Sequence, residues 1–250
     1  MSNPLRLFAT AATFLTRLPL ARWSYAQPAE LARAAALFPL VGALVAAIAL
    51  ATAWAALQWL PPGLAPWAAL AAGIVVTGGF HEDGLADTAD GLGGGFSRER
   101  KLEIMRDSRI GSYAGLALIV VLSGKYLALA TLDPAALFGA LWLGHVLARW
   151  SVLPLAALLP YARETAANKP VAEGMGWPQL LGGTLITGLL IAPLGLPALY
   201  AALATLAVVL LAALYFRAQL GGITGDTLGA ANQLVELSCY LVISGVARWN

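Results

Sequence analysis

The chain has 250 residues, 60% of them hydrophobic and only 11% charged, against roughly 25% charged in an ordinary soluble domain. A globular core of this size has no room for so much Leu, Ala and Val, so lipid must solvate much of it, and long apolar runs without alternation exclude a β-barrel. The net charge of +2 and the single cysteine, Cys239, leave no basic face with interleaved aromatics for nucleic acid, no internal disulfide and no cysteine metal site.

In chain order, residues 5–20 (LRLFATAATFLTRLPL) come first, apolar but carrying Arg6 and Arg17. They read as an interfacial helix or as an eighth, shallow element. A cleaved signal peptide is disfavoured, because Arg17 interrupts the apolar stretch and no cleavage box follows. Spans are then predicted at 38–60, 63–80, 113–132, 135–158, 179–196, 198–217 and 229–247, each long enough to cross a bilayer. The expected fold is all-α, a polytopic transmembrane helical bundle of about seven spans forming one domain over residues 1–250. The turns at 61–66, 132–135 and 192–198 are tight, and 161–178 has no apolar periodicity and reads as a mobile cover.

This order places the N-terminus and the segments 81–112, 159–178 and 218–228 on one face, with 12 of the 15 Lys and Arg residues. The positive-inside rule makes that face cytoplasmic. Gly182, Gly183 and Gly188 form a small-residue stripe suited to packing within or between protomers, which leaves a homo-oligomer open.

Four constellations carry chemistry. HEDGLADTADGLGGG, 81–95, follows an apolar run directly and sets Asp83, Asp87 and Asp90 at i, i+4 and i+7. On a helix these fall within about 60° of one another. Three like charges on one stripe demand a positive partner, and a hard divalent cation is the natural one. KLEIMRDSRIG, 101–111, adds Asp107 between Arg106 and Arg109; GGITGDTLGAANQLVE, 221–236, surrounds Asp226 with glycines; and Lys125, His145, Arg149, Asn232 and Glu236 sit inside spans. Acids that hold Mg²⁺, arginines that clamp phosphate oxygens and glycines that admit an anion suit phosphoryl or pyrophosphoryl transfer.

Plainer readings apply to several of these residues. In these readings, which compete with the functional ones, Asp107 and Arg109 simply pair with each other, Glu236 is a structural partner of Lys125 or Arg149, Arg149 snorkels to the interface, and Cys239 is a small buried apolar residue. His81 is off the acidic stripe by helical angle, so a ligand or acid–base role competes with a structural hydrogen bond.

The blocks FLTRLPL (14–20), FPLVG (38–42), FHEDGLADTADG (80–91), IMRDSRIGSYAGLAL (104–118) and GGITGDTLGA with Glu236 resemble those of the cobalamin synthase, or adenosylcobinamide-GDP ribazoletransferase, family along essentially the whole chain. The resemblance implies a Mg²⁺-dependent membrane enzyme that joins adenosylcobinamide-GDP to α-ribazole, or to its 5′-phosphate, and releases GMP. The ribazole 3′-hydroxyl would attack the phosphorus that carries the cobinamide aminopropanol. On that footing Asp83, Asp87, Asp90 and Asp107 are the expected metal ligands, and Arg109, with His81, Asp226 or a stripe aspartate as base, the expected catalytic groups. Lys101, Arg106, Arg149, Lys169, Thr224, Asn232 and Glu236 are the expected substrate contacts, around a wide cavity open to the cytoplasm. Two other classes compete. Asp87-x-x-Asp90-Gly91 echoes the opening of the CDP-alcohol phosphotransferase motif, whose second half is missing here, and the intramembrane charges would also suit a transporter.

Overall fold

Runs of Ala, Leu and Val become helices here because a chain surrounded by lipid must satisfy its backbone hydrogen bonds internally. The computed structural model describes residues 3–25, 27–162 and 175–248. Lys169 and most of the segment read as a cover therefore lie outside the described residues. The helices are α1 (Pro4–Leu15), α2 (Pro28–Ala34), α3 (Phe38–Trp59), α4 (Leu64–Thr77), α5 (Phe80–Gly94), α6 (Arg98–Ile104), α7 (Ser112–Ala130), α8 (Pro134–Leu158), α9 (Trp177–Ile191), α10 (Leu196–Leu220) and α11 (Gly225–Ala247).

Six helical stretches among the described residues are long and apolar enough to cross a membrane: Ala29–Trp59, which joins α2 to α3, Trp177–Leu194, which extends α9, and α7, α8, α10 and α11. The predicted span 63–80 needs correction. Its helix stops at Thr77, and the chain bends by 87° into α5, so at most the two together make a seventh span. The cause is the Gly78–Gly79 pair, with φ of +68° and +70°, a left-handed conformation that glycine adopts without a Cβ penalty. The Gly79 N–H donates to Ile74 O at 2.9 Å and so closes the end of α4.

α8 is the central helix, buried continuously from Leu143 to Arg149 and packed against α3 and α11. By contrast, α9 exposes Leu181, Leu185 and Leu189, and α10 exposes Leu199, Leu203, Leu206, Leu210 and Leu214. In a bilayer such leucine stripes are solvated by acyl chains. The N-terminal helix α1 buries Ala9, Ala11, Ala12 and Leu15 and packs against α2 and α3, so it is part of the bundle. Gly182 and Gly183 approach Ala36 and Leu153 of this same chain, whereas Gly188 faces open space.

The polar segments gather at one end, as the chain order predicts. Arg98 donates from Nε to Leu220 O at 2.8 Å and from Nη2 to Ala162 O at 2.6 Å, tying α6 to the ends of α8 and α10. Ile223 N–H donates to Pro160 O at 2.9 Å, and Ala162 N–H to Ile223 O at 2.8 Å. Arg17 N–H donates to Val76 O at 2.7 Å and brings the N-terminal segment onto the α4–α5 bend. The acidic segment is therefore no loop. It folds as α5, wedged between α7 and α11, with His81, Gly84, Leu85, Thr88 and Gly91 turned inward. A Cβ at Gly84 would lie 2.8 Å from Asp226 O and 3.1 Å from Gly229 Cα, so this crossing requires glycine.

Candidate active site

With one face of α5 buried, the opposite face presents its carboxylates to a cavity of about 440 Å³. Glu82, Asp83, Asp87 and Asp90 form one wall, Arg17 and the Gly78–Gly79 bend another, and Ser108, Arg109 and Ile110 a third. Asp83 is exposed and Asp87 half-buried, one helical turn apart on the same side. Three of the four acids predicted to hold metal thus line one cavity, together with the predicted Arg109.

The acids do not share one environment. Asp90 accepts from Gly111 N–H at 2.6 Å and Ala114 N–H at 2.9 Å, satisfying orphan amides at the start of α7. Asp107 is off the cavity wall and is gripped by Arg109, which donates from Nη2 at 2.6 Å and from Nε at 3.0 Å. The Arg109 side-chain hydrogen bonds, and then its backbone N–H, hold the Asp107 carboxyl down to about 2, and the same pair raises the Arg109 guanidinium.

Among the described residues, no three His, Cys, Asp or Glu side chains converge tightly enough to hold a metal by themselves. Asp83 and Asp87 nevertheless fit Mg²⁺, which is commonly held by one or two carboxylates with waters and substrate phosphate completing its shell.

The remaining candidates lie elsewhere. His81 is buried, with neither ring nitrogen hydrogen-bonded among the described residues, and is off the cavity wall. Asp226 lies in the first turn of α11 beside Gly84. Thr224 is the buried N-cap of α11, accepting from Thr227 N–H at 3.2 Å. Lys101 donates to Gln219 Oε1, Arg106 is exposed just after α6, and Asn232 is fully buried. None of these, nor Arg149 or Glu236, lines the acid-walled cavity.

Arg149 and Glu236 belong instead to a buried network. Glu236 accepts from Lys125 Nζ at 3.0 Å, Arg149 Nη1 at 3.2 Å and Tyr240 OH at 3.1 Å. Lys125 also donates to Gln233 Oε1 at 2.6 Å. Arg149 is 2% exposed, so it does not snorkel. Intramembrane charges are costly and persist only when so compensated.

Sequence reasoning missed Arg17, Glu82 and Ser108 as cavity residues. The signal for Arg17 was its presence in an apolar stretch where nothing local balances it. Glu82 stood one residue outside the stripe.

Comparison with known proteins gives a consistent picture. Residues 7–244 match the family model described as cobalamin-5-phosphate synthase. An adenosylcobinamide-GDP ribazoletransferase of Shewanella pealeana is 43% identical over 247 residues, covering 96% of this chain and 95% of that protein. Another, of Shewanella baltica, is 41% identical over 246 residues, covering 95% and 93%. No solved structure matches.

Proposed function

The chain belongs to the cobalamin-5-phosphate synthase family, and from that premise we propose that its reaction takes place in the acid-walled cavity beneath the α4–α5 bend. The activity assigned is adenosylcobinamide-GDP ribazoletransfer, the joining of adenosylcobinamide-GDP to α-ribazole or its 5′-phosphate with release of GMP. One observation carries the location: Asp83 and Asp87 share a cavity with Arg17 and Arg109, which reach it from two separate segments.

An acceptor hydroxyl forms a new bond to the phosphorus bearing the corrinoid arm, and the phosphoanhydride bond to GMP breaks. Arg17 and Arg109 suit the phosphate oxygens, since guanidinium matches them bidentately. Asp83 and Asp87 would hold Mg²⁺, which when bound supplies charge neutralisation for the departing phosphate. The hydroxyl proton goes to a carboxylate on the same wall, because His81 and Asp226 do not line it. A cavity of about 440 Å³ is of ordinary small-ligand size. It suits the nucleotide diphosphate, while the corrinoid ring rests outside the rim. That is narrower than the wide cavity expected from the sequence. The arginine-rich end faces the cytoplasm of the inner membrane by the positive-inside rule.

Full-length protein in detergent or bilayer nanodiscs, given adenosylcobinamide-GDP and α-ribazole, tests this reading through GMP release. Chelation of divalent ions should stop turnover and added Mg²⁺ restore it. Undiminished turnover in chelator would remove the metal from the account, and consumption of a CDP-alcohol would favour a lipid enzyme.

A further inference from the structure

Next to the acid-walled cavity lies a second, small chamber of about 10 Å³, lined by Leu70, Gly73, Ile74 and Thr77 of α4, Glu82 of α5, Leu122 and Lys125 of α7, His145 and Arg149 of α8, and Glu236 of α11. Glu82 is the one charged residue in the walls of both. Three buried polar atoms of the chamber's lining residues have no hydrogen-bond partner among the described residues: Glu82 Oε2, His145 Nε2 and Arg149 Nε. His145 and Arg149 are 3% and 2% exposed. Buried polar atoms are almost always satisfied, so three around one chamber point to a shared partner.

Size and chemistry identify it. About 10 Å³ is close to the least volume that holds one water, and a buried water makes two to four hydrogen bonds. Arg149 has only donors. Its Nη1 lies 3.1 Å from His145 Nδ1, a hydrogen bond in the tautomer that carries its ring proton on Nε2. The same Nδ1 stands 3.3 Å from Glu236 Oε2, and the Nε2-protonated form is the one that keeps the Arg149 hydrogen bond. The chamber therefore offers two N–H donors and one carboxylate acceptor. Lys125 and Arg149 also outnumber Glu236 by one charge, which Glu82 balances.

We infer that this chamber is a one-water site, in which the water accepts from Arg149 Nε–H and His145 Nε2–H and donates to Glu82 Oε2. Glu82 is then a positioning residue. Its carboxylate is anchored inward to the α7–α8–α11 network, and that anchor fixes where the acidic face of α5 stands relative to Arg17 and Arg109, while the helix itself sets the spacing of Asp83 and Asp87. The consequence for turnover rests on the reaction site proposed above, whereas the water site itself does not.

Gly73 provides the test. A Cβ there would lie 3.4 Å from His145 Cε1 and 3.8 Å from Nε2, at the limit of ordinary contact. Gly73→Ala thus fills the chamber with a methyl group, and alanine also favours a helix over glycine. A dry gap would gain stability on both counts, but a displaced water leaves three polar atoms unpaired. We expect the melting temperature of the full chain in nanodiscs to fall by about 3 °C or more, and no change or a rise overturns the water site. Glu82→Gln is expected to lower kcat about tenfold, with Mn²⁺ affinity held within about twofold, because misplaced catalytic groups cost rate. It should cost nothing further in the Gly73→Ala background. Losses that multiply, or a Glu82→Gln variant with weakened Mn²⁺ binding, overturn the positioning role. The melting readout needs no turnover, so its failure is distinct from failure of the proposed reaction site.

Discussion

The Asp90 carboxylate accepts from the Gly111 amide at 2.6 Å across 21 residues of sequence. With Ala114 N–H at 2.9 Å, it joins the acidic helix to the start of α7 and so holds the 108–110 segment, with Arg109, against the cavity. Asp90→Ala leaves those amides unpaired and should destabilise the protein by about 2 kcal/mol. Thermal melting of the solubilised chain measures this. Asp90→Asn should fall between Ala and wild type, since one carbonyl oxygen still accepts. A wild-type melt for Asp90→Ala would show that the cap contributes nothing.

Asp107 illustrates a pH dependence with a definite sign. Its carboxyl is held down to about 2 by Arg109, so the pair is fully formed above the ordinary Asp value near 4. It is lost only as pH falls through about 2. Asp107 should therefore contribute no inflection to the pH–rate profile between about 5 and 9. Asp107→Asn is expected to leave the profile's shape intact while lowering kcat/KM a few-fold, as Arg109 loses its brace. A shifted acid limb in that variant would mean that Asp107 titrates in the reaction.

Glu236 faces two cations, with Lys125 at 3.0 Å and Arg149 at 3.2 Å, all three side chains nearly sealed. Glu236→Gln strands both charges and should cost about 3–5 kcal/mol, read as lower yield of folded protein and an earlier melt. Lys125→Met in that background should recover part of the loss. Equal stability of Glu236→Gln and wild type would contradict the compensation argument.

Much of this was legible in the sequence for physical reasons. Long apolar runs specify helices in lipid, and the i, i+4, i+7 spacing of Asp83, Asp87 and Asp90 marked α5 as a helix despite its charge. The glycines read as admitting an anion, whereas Gly84 serves the close crossing of α5 with Gly229 of α11. Other features depend on partners remote in sequence. Nothing near Gly78 and Gly79 fixes a bend of 87°, since two glycines permit many angles. The stripe spacing groups Asp90 with its neighbours, but its amides come from residues 111 and 114. Lys125, Arg149 and Glu236 were conspicuous as intramembrane charges, and a pair of Glu236 with one of the two cations was readable from them, whereas its engaging both at once required the packing of α7, α8 and α11.

Divalent-ion binding by Asp87→Asn tests the central claim most directly. Mn²⁺ affinity by electron paramagnetic resonance and GMP release are measured on the same preparation, after confirming that the variant inserts and melts like wild type. The account predicts that affinity falls at least tenfold and that GMP release is abolished. Unchanged Mn²⁺ affinity with retained turnover would remove Asp87 from the metal site and contradict the account.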